Sequence, residues 1–378
     1  MHVGSGTFFQ NLGQTMSDAD VWAHELAMAD LAEPLGFDSV WAAEHHFTDY
    51  TMCPDPSQLL TWVAARSARV QVGSMVMVLP WHDPVRVAEQ FAVLDHMSRG
   101  RAILGIGRGL ARVEFEGFRV PMGESRRRFV EYAEAVIRAL ETGTIAYDGA
   151  CYRQPPKAIR PRPFRSFRGR VYASSVSPQS ARIMAELGVG ILIIAQKPWD
   201  KTLADLEEYR GIYREVNGAE PPKPLLVSFT AVHEDEETAR EMFERYICAY
   251  CASTMTHYEF DNGHLAAIEG YEYYAGLSRN IAKHGKEAFS RFLADLQVWG
   301  TPAQVVEQMI ENNRRIDGAG VIGVFSCGMM PPALAQANIR LFAEKVRPRL
   351  QAHPAGARVI GAEPGAAAAT AAAPRAAS

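Results

Sequence analysis

Hydrophobic positions in this chain fall in short runs. Most runs hand over to a stretch in which apolar side chains recur every three or four residues. The runs His2–Phe9, Ser39–Ala43, Val70–Leu79, Ala102–Ile106, Arg170–Ala173, Ile191–Ala195, Leu225–Val232 and Val321–Phe325 read as strands. Between them the helical period predicts Asp18–Pro34, where Trp22, Leu26 and Ala29 share a face and Gly36 stops the pattern. It also predicts Val85–Met97, Arg126–Glu141, Ser180–Glu186, a helix ending near Val216, Glu237–Cys251 and Ala333–Val346. Eight strands alternating with helices imply parallel βα units. In a chain of this size they imply an α/β fold of the (β/α)8 TIM-type barrel, with a doubly wound sheet as the alternative. Two segments exceed a minimal unit and read as insertions: about Glu141–Arg168, and the aromatic-rich Thr254–Gly300. From about residue 351 to Ser378 the chain becomes Ala, Pro and Gly with few large apolar side chains. That stretch is expected to be a disordered tail behind a barrel spanning residues 1–350.

A barrel gives a filter for chemistry, because its active site forms at the C-terminal ends of the strands. "AEHHFTDY" passes it: Glu44, His45 and His46 follow the second strand directly. Successive residues of an extended chain face opposite ways, so His45 and His46 are not expected to share a pocket or a metal. His45 is the expected pocket residue with Glu44 in support, and His46 is expected to be structural. "LGIGRGL" follows the fourth strand. It is no dinucleotide fingerprint, since Leu110 stands where a Gly or Ala is needed and no helix obviously begins there. Its Arg108 suits a phosphate or carboxylate, the alternative being a salt bridge to Glu114 or Glu116. In "SSVSPQSA" Ser177 reads as an N-cap, Pro178 as the first helical residue and Ser180 as the third. This is a helix start able to take an anion beside Arg108.

Composition narrows the class. With 39 Lys and Arg against 43 Asp and Glu the net charge is −4, which gives no basic field for nucleic acid or anionic membrane. Arg126, Arg127 and Arg128 read as the exposed start of a helix. Five scattered cysteines form no disulfide framework, and the lone Cys248-x-x-Cys251 lies inside a predicted helix. With no recognisable leader or long apolar span, the expected setting is cytoplasmic.

Taken together, "GFDSVWAAEHHFTDY", "VQVGSMVMVLPWHDPVRVAEQ", "LDHMSRGRAILGIGRGL" and "VYASSVSPQSARIMAELGVG" resemble the bacterial luciferase-like flavin monooxygenases, most closely the luciferase α-subunit type. The resemblance implies a (β/α)8 barrel, commonly dimeric, so a homodimer is expected. It implies reduced FMN (FMNH2) from a separate NAD(P)H:flavin reductase, and O2 that forms a flavin C4a-(hydro)peroxide able to oxygenate a small organic substrate. It places the catalytic histidine at His45 and its acid neighbour at Glu44. The cofactor contacts fall at Arg108, Gly109, Leu110, Val176, Ser177 and Ser180. A non-prolyl cis peptide behind the flavin ring falls at Met75-Val76. No metal is implied. Gly107, Val176 and Ala111 replace a cysteine, an acid and an aromatic of the luciferase α-subunit, which weighs against light emission. A deazaflavin-dependent oxidoreductase or a non-catalytic flavin-binding protein on the same barrel are the alternatives.

Overall fold

A computed structural model describes residues 1–174, 178–356 and 358–361. Eight strands form close to where the pattern puts them: β1 His2–Thr7, β2 Ser39–Ala42, β3 Gln71–Ser74, β4 Ala102–Gly107, β5 Val171–Ser174, β6 Gly190–Ile194, β7 Leu225–Val232 and β8 Gly320–Val324. Each pairs in parallel with the next, and β8 returns to β1 with Gly4 opposite Ile322. The sheet is therefore a closed (β/α)8 barrel, not a doubly wound sheet. Trp41 of β2 fills the lower barrel and is fully buried. Glycines make that space: a Cβ on Gly73 would lie 2.5 Å from the indole.

The run Val70–Leu79 is not one strand. β3 stops at Ser74, the Met75–Val76 peptide is cis, Met77–Val78 pairs with the end of β4, and Leu79–Trp81 makes a single tight turn. The run is buried almost throughout, so its hydrophobicity shows no break. Helix Glu237–Cys251 also continues further, through one wider turn at Phe243–Ile247, to Tyr258. Helices that were not expected outside the insertions include Pro56–Arg66, Arg112–Phe118 and Pro302–Arg315. Pro56–Arg66 is capped by the Asp55 carboxylate, which accepts from Gln58 N–H. Arg112–Phe118 begins just after Leu110, where none was expected.

The first insertion is a hairpin, Thr144–Asp148 against Arg153–Ala158. The second holds helices Glu272–His284 and Lys286–Asp295 and a short strand, Val298–Gly300, on the edge of β7. Phe260, Leu265, Tyr271 and Tyr274 of this insertion pack with Phe115 and Met122 in a small core of their own, apart from the main one.

The described chain continues past the point where composition places the start of a tail. Ile360 is buried and exchanges two hydrogen bonds with Gln71 at the start of β3, while Arg358 pairs with Asp38. Those two larger side chains supply the contacts that an Ala/Gly stretch lacks. Residues 362–378 lie outside the described residues.

Candidate functional site

A cavity opens at the C-terminal mouth of the barrel, enclosing about 1000 Å³ of space continuous with solvent. Its wall joins most of the residues singled out above: Glu44, His45, Met75, Val76, Arg108, Gly109, Leu110 and Ser180. Ser177 and Val176 lie outside the described residues. The strand ends bring these groups together from far apart in sequence, as the barrel requires.

The carboxylate beside His45 is not the expected one. Glu44 turns away from it. Its Oε1 faces His46 Nε2 at 3.0 Å, His82 Nε2 at 2.6 Å and Trp81 Nε1 at 2.8 Å, and its Oε2 accepts from Val78 N–H at 2.8 Å. Burial alone would raise the pKa of this carboxyl. The hydrogen bonds from His46 and His82 outweigh burial and hold it down to about 2. His82 is shifted upward by the same contact, against its own burial. Alternation gives the reason: Glu44 and His46 are two residues apart and face one way, whereas Glu44 and His45 do not.

The partner of His45 is Glu114, on the helix that periodicity missed. Glu114 Oε1 lies 2.9 Å from His45 Nδ1 and also accepts from His46 N–H at 2.9 Å. A second neighbour comes from the far end of the chain. His257, on the helix Cys248–Tyr258, places Nε2 3.1 Å from the same His45 Nδ1, while Tyr258 OH lies 3.4 Å from His45 Nε2. Burial, reinforced by the nearby His45, lowers the His257 pKa to about 2, so this imidazole is neutral. Burial likewise keeps Tyr258 protonated. With the Glu114 carboxylate as acceptor, Nδ1 of His45 is the donor of their hydrogen bond, which leaves Nε2 as the acceptor facing Tyr258 OH. Neither Glu114 nor His257 had a local signal, since they stand 69 and 212 residues from His45.

Arg108 makes no salt bridge to Glu114 or Glu116. Its guanidinium lies 3.9 Å from the ring centre of Tyr271 and donates to Gly270 O at 2.6 Å. Arg126 also lines the cavity and donates to the same carbonyl at 2.8 Å. It is therefore part of the site, not merely the exposed helix start that composition suggests. Ser180 and the helix Pro178–Glu186 stand beside these cations. Much of the remaining lining is apolar: Met75, Val76, Val78, Leu110, Phe129, Ile183, Met184 and Ile194. Gly107 belongs to this wall for a steric reason, since a Cβ there would meet Val76 Cγ2 at 2.3 Å. Cys248 and Cys251 sit within a helix, and Cys251 is buried.

Among the described residues no helix is long and apolar enough to cross a membrane. Residues 1–317 match the model of the family described as luciferase-like monooxygenase. The alkanal monooxygenase alpha chain of Photobacterium leiognathi is 26% identical over 349 residues, covering 89% of this chain and 95% of that one. The solved monooxygenase RslO1 from Streptomyces bottropensis is 26% identical with a TM-score of 0.74, covering 92% of this chain and 99% of that one. The oxygenating constituent of 3,6-diketocamphane monooxygenase from Pseudomonas putida, solved with FMN, shares the fold. Its TM-score is 0.69 and its identity 18%, covering 93% of this chain and 98% of that one. A polar, strand-end cavity on a closed barrel and a family match over most of the chain lead to one conclusion: this protein belongs to the luciferase-like monooxygenase family and is a flavin-dependent oxidoreductase.

Proposed function

We propose that the chain is the oxygenase of a two-component system. It would take reduced FMN from a separate NAD(P)H:flavin reductase and use O2 to oxygenate a small organic substrate. The observation that carries this reading is that one cavity is lined by two guanidiniums, a set of apolar side chains, and a histidine hydrogen-bonded to a buried carboxylate. The residues fit the cofactor. A phosphate suits Arg108, Arg126 and Ser180 at a helix start, where charge-assisted bonds and free N–H groups combine. A flat heteroaromatic ring suits the apolar lining at Met75–Val76 and Leu110. When bound there, reduced FMN would supply two electrons, so that one oxygen atom enters the substrate and the other leaves as water.

The chain's own residues would do the rest. Arg108 and Arg126 hold the anionic end. Val76, Met184 and Ile194 exclude water from the ring. His45 Nε2 accepts a proton, or a hydrogen bond, from the reacting group, with Glu114 holding its Nδ1–H. Assembly as a homodimer belongs to this reading. The test is binding of FMN and of the deazaflavin F420 measured in parallel, followed by a substrate panel with FMN, NADH and a generic flavin reductase. Tighter FMN binding and FMN-dependent oxygen transfer support the proposal. Preference for F420 with hydride transfer and no oxygen uptake rejects it.

A further inference from the structure

Three electron-pair donors converge at the edge of the cavity. His45 Nδ1, His257 Nε2 and Glu114 Oε1 lie 2.9, 3.1 and 3.8 Å apart pairwise. The Glu114 and His257 side chains are buried, and His45 retains some exposure on the cavity side.

Hydrogen bonding alone serves this triangle badly. His45 Nδ1 has one in-plane position, holding either a proton or a lone pair. If it carries the proton and donates to Glu114, the His257 Nε2 lone pair points at the same proton with no donor of its own. If His257 donates instead, the carboxylate faces a lone pair at 2.9 Å. The other polar groups are already engaged, His257 Nδ1 with Thr48 Oγ1 at 3.2 Å and Glu114 Oε1 with His46 N–H. One proton cannot serve three groups, but one divalent cation can. A point equidistant from the three atoms lies about 1.9 Å from each, against ~2.0–2.2 Å for Zn–N and Zn–O bonds. An ion would therefore sit just off their plane. Two neutral imidazoles and one carboxylate are also a ligand set that zinc and ferrous iron accept.

We propose that His45, Glu114 and His257 form a binding site for a divalent transition ion of the zinc class, reached from the cavity, and that metal occupancy and the use of His45 as an acceptor exclude one another. Ligation takes the lone pair of Nδ1, so the neutral ring's single proton moves, by exchange with solvent, from Nδ1 to Nε2. His45 then presents a donor where the reaction needs an acceptor. On the role proposed above for His45, the metal-loaded protein is inactive.

Binding is tested without flavin. Metal-stripped, full-length protein is titrated with Zn2+ in a calorimeter, and with Co2+ while its visible d–d bands are followed. One equivalent is expected to bind, at least a hundredfold more weakly in His257→Ala and in Glu114→Gln, with the Co2+ bands lost in both. No stoichiometric site in the wild type overturns the proposal. So does unchanged affinity in a folded variant, which would put the ion elsewhere, for instance on Cys248. If His257→Ala fails to fold by circular dichroism, the isosteric Glu114→Gln decides. The exclusion is tested with chemically reduced FMN and O2. Turnover should fall in proportion to Zn2+ occupancy and return with EDTA, and full turnover at full occupancy overturns it. Zinc bound in this site by a protein without any flavin turnover would count against the proposed function and leave the metal site standing.

Discussion

Glu44 and Glu114 are both almost completely buried carboxylates, and each faces a histidine of the same His45-His46 pair. Their surroundings differ in one respect. Glu44 receives four polar contacts, from His46, His82, Trp81 and a backbone N–H, and so ties β2 to the turn after the cis peptide. Glu114 receives His46 N–H and one histidine nitrogen that it shares with His257. A saturated carboxylate has no capacity left for chemistry and acts as a rivet. An under-supplied one beside a cavity leaves its histidine responsive to what enters. Glu25 makes the same point from the other side. It is equally buried but is held by Ser326 and Phe8 N–H with His24 Nε2 further off at 3.7 Å, and burial lifts its pKa to about 7 where that of Glu44 falls to about 2. Hydrogen-bond supply, not burial, decides the sign.

Breaking the rivet should give the largest effect. Glu44→Ala leaves His46, His82, Trp81 Nε1 and Val78 N–H without their acceptor, and removing one partner of a buried ionic network costs about 3–5 kcal/mol. Chemical denaturation should show that loss; a change below about 1 kcal/mol would remove the structural reading of Glu44. His45→Ala should behave in the opposite way. Its stability should stay within about 1–2 kcal/mol of wild type, while FMN-dependent oxygenation falls by roughly 10²-fold or more, the usual contribution of a positioned acid or base. Equal losses of stability and activity in both variants would erase the distinction. Arg108→Ala should weaken FMN binding by about ten- to a hundredfold, as expected for one charge-assisted contact, with riboflavin binding little changed. If riboflavin weakens equally, Arg108 is not at the phosphate.

The smallest effect concerns Glu25. Its folded-state pKa lies above its unfolded value, so its contribution is fully present below about pH 4.5 and is lost as the pH rises through about 7. Glu25→Gln should flatten the stability profile across that window and gain on the order of 1–3 kcal/mol above it. A profile parallel to wild type, measured by urea denaturation between pH 4.5 and 8, would contradict the assignment.

The barrel was legible in the sequence because each strand is a short buried run and some helices, such as Ser125–Thr142, show a clear face. β7 matches its expected bounds, and most other strands fall within a residue or two at either end. The cavity wall from Met75 to Leu110 was legible through strand ends and through the family motifs. The partners of His45 were not. Glu114 rides on a seven-residue helix too short to show a period, and His257 arrives on a helix continued past a wide turn. Glu44 contacts His46 and not His45, although the alternation rule that separated His45 from His46 also pairs Glu44 with His46. Arg126 looked like surface charge because composition carries no information on what a helix start faces.

The most direct test of the account is rapid mixing. Protein loaded anaerobically with reduced FMN is mixed with oxygenated buffer, and the return of oxidised-flavin absorbance is followed. The account predicts reoxidation at least tenfold slower than for free reduced FMN, and faster again in a folded His45→Ala variant. Reoxidation of the wild-type complex at the rate of free reduced FMN would contradict it.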